Sequence, residues 1–511
     1  MAVPLKRVVI VGGGSAGWIT AAYMDAVLNG ERSKAVDISL IESADVPRVG
    51  VGEATVPSLR DTLRTIGVDE AQFMRATDAT FKQAIRFDDW LTIGHRYFHP
   101  FDRRPSGRLD RAGLRWLTSD RTVPFAATVS AQPALCEAGR APKFLDSRSF
   151  EAPISYAYHV DAEKLATFLC ELATRRGVRH IVDDVVDVDQ DDDGRLLAVR
   201  CAQGLRLEGD LFVDCTGFAA ILSGQRLGVD FVDYSTWLPC NRAVAMRIPF
   251  ERHAPAARRP FTVARALSNG WKWDITLADR RGIGYVYAGD FLDAEAAERE
   301  LRDVEGRHSA GLDVRHLQFR VGRLAEPWRS NCVAIGLSSG FIEPLESTGL
   351  FLVEIAVATL CEYFPFGGDA RHGAAHFNAI MQERYEEILD FVVLHYCLSR
   401  RDDSAFWCEV REARRIPERL QARLQLWRHK LPSLSDFHDT LQLFSHTPYE
   451  YVLYGMDFLR ERIAGQPADR LPATTVPDSI ARTVADASKR LPAHDEWLAR
   501  RAGAPPLQNS V

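Results

Sequence analysis

The sequence predicts an α/β fold: a domain opened by a βαβ unit, a β-rich region inserted into it, and a mainly helical C-terminal lobe. Three observations carry this. The apolar run RVVIV passes straight into glycines and then into a helical pattern; short β-rich runs separated by turn residues fill much of 178–217 and 237–335; helical patterns dominate from 348 onward. With 511 residues, 46% of them hydrophobic, the chain can bury a large core spread over two or three lobes.

The opening unit is a strand, a glycine turn, the helix AGWITAAYMDAVLNG and a second strand, VDISLIES. Gly12, Gly14 and Gly17 have the G-x-G-x-x-G spacing, and Ser15 and Ala16 lie at the helix start. Glycines there let the backbone approach a pyrophosphate, whose charge sits on the helix N-terminus, and Glu42 ends the second strand where it can accept from a ribose. The context therefore predicts a dinucleotide site. A helical segment at 161–177 precedes a β meander. Within that meander Asp189, Asp191, Asp193 and Gly194 imitate the first half of a calcium loop, but Arg200 stands where the bidentate Glu belongs, so a solvated hairpin turn is expected and no metal.

DLFVDCTGF (210–218), with Asp214 and Gly217, is similar to the returning strand of FAD-dependent monooxygenase-type domains. CVAIG (332–336), ending on Gly336, gives a third return, and three returns to one sheet favour FAD over NAD. Directly after it comes GFIEPLESTGLF (341–352). Pro344 stops the preceding segment, Ser347 and Thr348 are good N-cap residues, and the helix start at Gly349 exposes N–H groups that can hold an anion.

Net charge is −6 with both signs dispersed, which leaves no electrostatic footprint for nucleic acid or anionic lipid and favours a small-molecule partner. Nine cysteines, an odd number with no CxxC pair, fit a reduced cytoplasmic protein. No stretch has the ~20 uninterrupted apolar residues of a membrane span. The tail from about 464 is rich in Ala, Pro and Arg and is expected to be a surface helix with a frayed end.

Six segments in order, GGGSAGW, RVGVGEATVPSL (48–59), TFKQAIRF (80–87), YAYHVDAEKL (156–165), GWKWDI (270–275) and GFIEPLESTG, together resemble the flavin-dependent halogenases of the tryptophan halogenase type, from residue 5 to about 460. The resemblance implies an FAD-binding, monooxygenase-like domain over 1–350, with about 85–160 and 225–330 on the substrate side, and a helical substrate-pocket lobe over 351–511. It implies reduced FAD supplied by a separate flavin reductase, oxygen, and chloride or bromide. These yield hypohalous acid, which travels through the protein to a small aromatic substrate. A monomer or homodimer is expected. Gly50, Ala54 and Leu350 join the cofactor-side positions, Gly50 within a mobile strap, and Thr348 and Gly349 become the halide site. Lys82 matches the active-site lysine, in a chain with eight lysines against fifty-five arginines, and Glu346 matches the second catalytic residue. Trp271 and Trp273, alternate on a strand and hence on one face, match the wall between flavin and substrate, although Thr276 replaces the family's proline.

The substrate pocket departs from the pattern. The stretch 434–456 lacks the Tyr-Tyr pair and the spaced Glu that grip an amino-acid backbone, and Leu443-Phe444 replace Phe-Trp. Burying a zwitterion without partners is costly. His99 and Phe101 remain at indole-contacting positions, Phe444 can supply the opposite face, and Ser347 borders the pocket. The expected substrate is an electron-rich indole, free or substituted, rather than a tightly clamped free tryptophan. An FAD-dependent aromatic hydroxylase and a non-catalytic flavin-binding protein are the alternatives.

Overall fold

The computed structural model describes residues 5–30, 34–46, 52–102, 112–252, 257–437, 442–459 and 472–504. It is a mixed α/β fold in two compact units, each assembled from three stretches of chain: 1–79, 160–234 and 319–386 in the first, and 80–159, 235–318 and 387–511 in the second.

The first unit is built on a six-stranded sheet whose centre is parallel. Strand Arg7–Val11 is buried over four of its five residues, because a parallel strand is covered on both faces and so reads as a continuous apolar run. Its side chains alternate. Val9 and Val11 join Phe212, Val188, Leu196 and Val199 in a core beneath the meander strands Val185–Gln190, Leu196–Cys201 and Arg206–Glu208. Between Val185–Gln190 and Leu196–Cys201 the acidic run forms a turn, Asp191 accepting from the backbone N–H of Asp193 and Arg195. Helix Ala162–Arg175 starts where Asp161 caps the N–H groups of Glu163 and Lys164.

Register decides what this unit can present. Val11 lies opposite Asp214, and Asp214 opposite Ala334, so three adjacent parallel strands end level with one another. The glycine turn, the DCTG turn and the GFIEPLESTG segment therefore leave the sheet at one edge, where ligands bind in open α/β sheets.

The second unit holds a seven-stranded sheet, antiparallel except where Thr262–Leu267 runs parallel to Ala84–Asp88. A separate pair, Thr80–Lys82 with Ala157–Val160, carries Lys82. Helices Glu418–Trp427, His446–Gly455 and Asp478–Arg490 belong to this unit. The expected division at residue 350 is thus not the one observed. Helix Gly349–Glu362 stays with the first unit, where Thr62 hydrogen-bonds its Glu354, while the β-rich insertions and the chain from 387 fold together. The tail carries the expected surface helix, Asp478–Arg490, with no buried residue, and beyond it His494 and Trp497 are core residues. All nine cysteines are free thiols, and among the described residues no helix is long and apolar enough to cross a membrane.

Candidate active site

At the glycine turn each small residue has its own reason. Gly12 adopts φ 113°, and a Cβ there would lie 2.2 Å from the carbonyl oxygen of Cys215. A Cβ on Gly13 would overlap the Glu42 carboxylate, whereas one on Gly14 would meet nothing within 4 Å. Helix Ser15–Leu28 begins at Gly14 with no side-chain cap, so its first N–H groups face an open approach suited to a phosphate. Ser15 donates to the Ala162 carbonyl, and Ala16 lies against Gly336, where a Cβ would be 2.7 Å away. The donor set fits a dinucleotide.

The two cofactor-side carboxylates differ in their surroundings. Glu42 is already engaged, its Oε1 2.8 Å from His180 Nε2, with Cys170 Sγ 3.7 Å from the other ring nitrogen. Asp214 does not offer its carboxylate to a ligand. It is fully buried, one oxygen accepting from the N–H and hydroxyl of Thr216, the other from Leu222 N, Ser223 N and Ser223 Oγ. It organises the turn that presents Gly217, at φ 69° with open space beyond its α-carbon. Ala54 lies in the short strand Glu53–Ala54, Leu350 is buried in the first turn of its helix, and Gly50 falls outside the described residues.

In the segment 341–352 the sequence expectation is half right. Pro344–Glu346 is one turn of 3-10 helix, with Glu346 buried, and Thr348 is the residue before helix Gly349–Glu362. Neither hydroxyl caps it. Ser347 is held left-handed, at φ 63° and ψ 38°, and Thr348 already has helical dihedrals, from which its side chain does not reach back to the first N–H groups. Thr348 Oγ1 is fully buried and finds no hydrogen-bond partner among the described residues. An orphaned buried hydroxyl costs about 1–3 kcal/mol. Beside an uncapped helix start it leaves a donor that an anion could accept from.

The chain as a whole is similar to known proteins. The tryptophan halogenase family model matches residues 7–469. The chain belongs to the tryptophan halogenase family. It is 39% identical to tryptophan 6-halogenase SttH of Streptomyces toxytricini, over 87% of this chain and 88% of that one. Solved structures agree: a tryptophan halogenase from Shewanella frigidimarina superposes with a TM-score of 0.87 at 34% identity, covering 99% of both chains. Tar14, a tryptophan C-6 flavin-dependent halogenase (chlorinase) from taromycin biosynthesis, gives 0.87 at 37%, covering 97% of this chain and 99% of that one. The protein is accordingly an enzyme, a flavin-dependent halogenase.

In this halogenase Lys82 is buried on its strand, with Nζ 4.9 Å from the ring centre of Phe101. Trp271 and Trp273 share one face of strand Gly270–Thr276, their rings 6.3 Å apart, and Trp273 lies over Gly284, where a Cβ would sit 2.0 Å from the indole. The intervening residues point the other way into a buried ionic cluster. There Arg281 binds both Asp274 and Glu305, and Lys272 binds Glu305. Burial alone would raise the Asp274 carboxyl, but Arg259 and Arg281 dominate and hold it far below the usual range.

The expected aromatic sandwich is altered. His99 is buried 5.7 Å from the ring of Phe391 and 5.8 Å from that of Tyr451. Phe444 stacks on Phe391 at 3.9 Å, and its N–H donates to Glu387. One face of Phe444 is therefore already covered. Phe391, Tyr451 and Glu387 went unread in the sequence: nothing in a long helical pattern marks which of its aromatic residues will meet a strand.

Proposed function

We propose that this halogenase uses reduced FAD, delivered by a separate flavin reductase, with oxygen and chloride or bromide, and halogenates an electron-rich indole without gripping an amino-acid backbone. The observation that carries the cofactor and halide reading is the turn before helix Gly349–Glu362, which combines an uncapped helix start with the buried, partnerless Thr348 hydroxyl. When bound, the reduced flavin would give two electrons to oxygen, and the peroxide-level oxygen so formed would be the two-electron oxidant that turns halide into hypohalous acid. Gly12, Gly14, Ser15, Ala16, Gly17 and Gly217 line the turns that would hold it, with Glu42 beside the ribose. Thr348 Oγ1 and Gly349 N would bind the halide.

Lys82, in its dry surroundings, donates a hydrogen bond to hypohalous acid and makes its halogen more electrophilic. Glu346 takes the ring proton or stabilises the cation formed as the halogen adds. Trp271 and Trp273 act as a wall that keeps the oxidising centre from the aromatic ring. The substrate reading rests on the missing anchors in 434–456, since the relative SttH is a tryptophan 6-halogenase while this chain lacks the Tyr-Tyr pair and the spaced Glu expected to grip an amino-acid backbone. The test is a panel of indole, 3-substituted indoles and tryptophan with reduced FAD, oxygen and bromide, the products weighed by mass spectrometry. A higher kcat/KM for indole than for tryptophan is expected, and the reverse order would overturn the substrate reading. Oxygen insertion without halide would favour the hydroxylase alternative.

A further inference from the structure

The strand Thr80–Lys82 has two different faces. Phe81 points into an aromatic core with Tyr156, Tyr158 and Trp497. Thr80 and Lys82 share the other face, and the paired strand places His159 opposite Thr80 and Ala157 opposite Lys82. His159 is completely buried between two hydroxyls, Nδ1 being 3.2 Å from Thr80 Oγ1 and Nε2 2.8 Å from Thr262 Oγ1. Thr80 Oγ1 also contacts the carbonyl oxygen of Thr276.

These contacts fix every proton. A carbonyl only accepts, so the single hydroxyl proton of Thr80 goes to Thr276. Thr80 Oγ1 must then accept from His159, which puts the ring proton on Nδ1. Nε2 is left to accept from Thr262. The imidazole is neutral because burial first, and the nearby Lys82 cation second, hold it well below its usual range. The chain of bonds joins four strands: the one bearing Lys82, Ala157–Val160 with His159, Thr262–Leu267, and the C-terminal end of Gly270–Thr276, which bears the tryptophan pair. A second histidine supports the same strand from its apolar side, since His494 Nε2 accepts from Phe81 N–H at 3.1 Å while its Nδ1 donates to the Arg258 carbonyl at 2.8 Å.

We propose that His159 is a positioning residue for Lys82: locked as the Nδ1–H tautomer between Thr80 and Thr262, it fixes the lysine's strand to the tryptophan-bearing strand and so sets where the ammonium meets hypohalous acid. This rests on the reading of Lys82 as the residue that activates hypohalous acid. It also gives the Thr276 position a role, because the backbone carbonyl there ends the bonded chain.

The test compares Thr80→Val, His159→Leu, His159→Gln and Lys82→Ala in the full enzyme. Melting temperature and FAD binding report folding, and steady-state kinetics are combined with a small trap for released hypohalous acid. Misplacing a reacting group by about 1 Å can lower turnover by ~100-fold. Thr80→Val and His159→Leu are therefore expected to lower kcat by roughly 10- to 100-fold, with KM for halide and indole within about twofold and more trapped hypohalous acid per flavin consumed. His159→Gln, whose amide can both donate and accept, restores most of kcat. Unchanged kcat in a folded Thr80→Val enzyme, with Lys82→Ala inactive, would overturn this inference alone. Full turnover in Lys82→Ala would overturn it together with the reading of Lys82 on which it stands.

Discussion

Lys82 and Glu346, matched to the two catalytic residues of the family, are held in opposite ways. Around Lys82 a bonded chain runs through Thr80, His159, Thr262 and the Thr276 carbonyl, and the Phe81 N–H is accepted by His494, while the Thr276 hydroxyl and Gln83 Oε1 find no partner among the described residues. Around Glu346 the turn is left unfinished, with Ser347 in left-handed backbone, no cap from the Thr348 side chain on the helix, and a buried Thr348 hydroxyl without a partner among the described residues. A bonded chain that crosses several strands gives a rigid platform. An unsaturated, strained turn is less stable alone and gains most from a ligand, which is how binding sites differ from scaffolds.

The comparison breaks first at its strongest points. Lys82→Ala should abolish detectable halogenation, with FAD binding and melting temperature close to wild type; measurable product would undo the role of the lysine. Glu346→Gln should lower kcat by about 10²–10⁴-fold, the usual range for a positioned acid or base, again with flavin binding intact. Thr348→Val separates function from stability. Halide KM should rise about tenfold or more, while unfolding without halide becomes harder by up to ~1 kcal/mol because an orphaned hydroxyl is replaced by a methyl. Ser347→Gly should relieve left-handed strain worth about 1 kcal/mol and raise the melting temperature slightly.

The smallest effect is a pH slope within the first unit. Glu354, whose carboxyl is pushed up to about 8 by burial, accepts from Thr62 Oγ1 at 2.7 Å. Its folded value lies above its unfolded one, so this contribution is full below about pH 4.5 and is lost as pH rises through about 8. Glu354→Gln should flatten melting temperature against pH between these limits. His494, pushed down to about 4 by burial, acts in the other direction: its contribution is present above about 6.5 and is lost as pH falls through about 4.

How much of this could be read from the chain varied with the range of the interaction. The opening strand was legible because a run apolar on both faces, followed by glycines, has few other uses, and the close approach of Gly12 to Cys215 explains why no side chain stands there. The Ser347-Thr348 pair was legible as residue type and misread as geometry: an N-cap requires extended backbone, and the 3-10 turn delivers Thr348 already helical. The way Asp214 shapes its turn was not legible because its five donors are two to nine residues further on, in a turn whose path the sequence does not reveal. His159 and His494 were not singled out at all. They meet Thr80 and Phe81 across 79 and 413 residues, and hydrogen-bond complementarity at that separation leaves no periodic trace. Phe391 hid in the same way behind its helix.

The contrast between a closed platform and an unfinished turn is tested most directly by locating the halide. Crystals of the FAD complex grown with bromide should show an anomalous scattering peak within hydrogen-bond reach of Thr348 Oγ1 and Gly349 N, and the same crystals of Thr348→Val should lose it. A bromide bound elsewhere, or one that persists at this turn without the hydroxyl, would contradict the account.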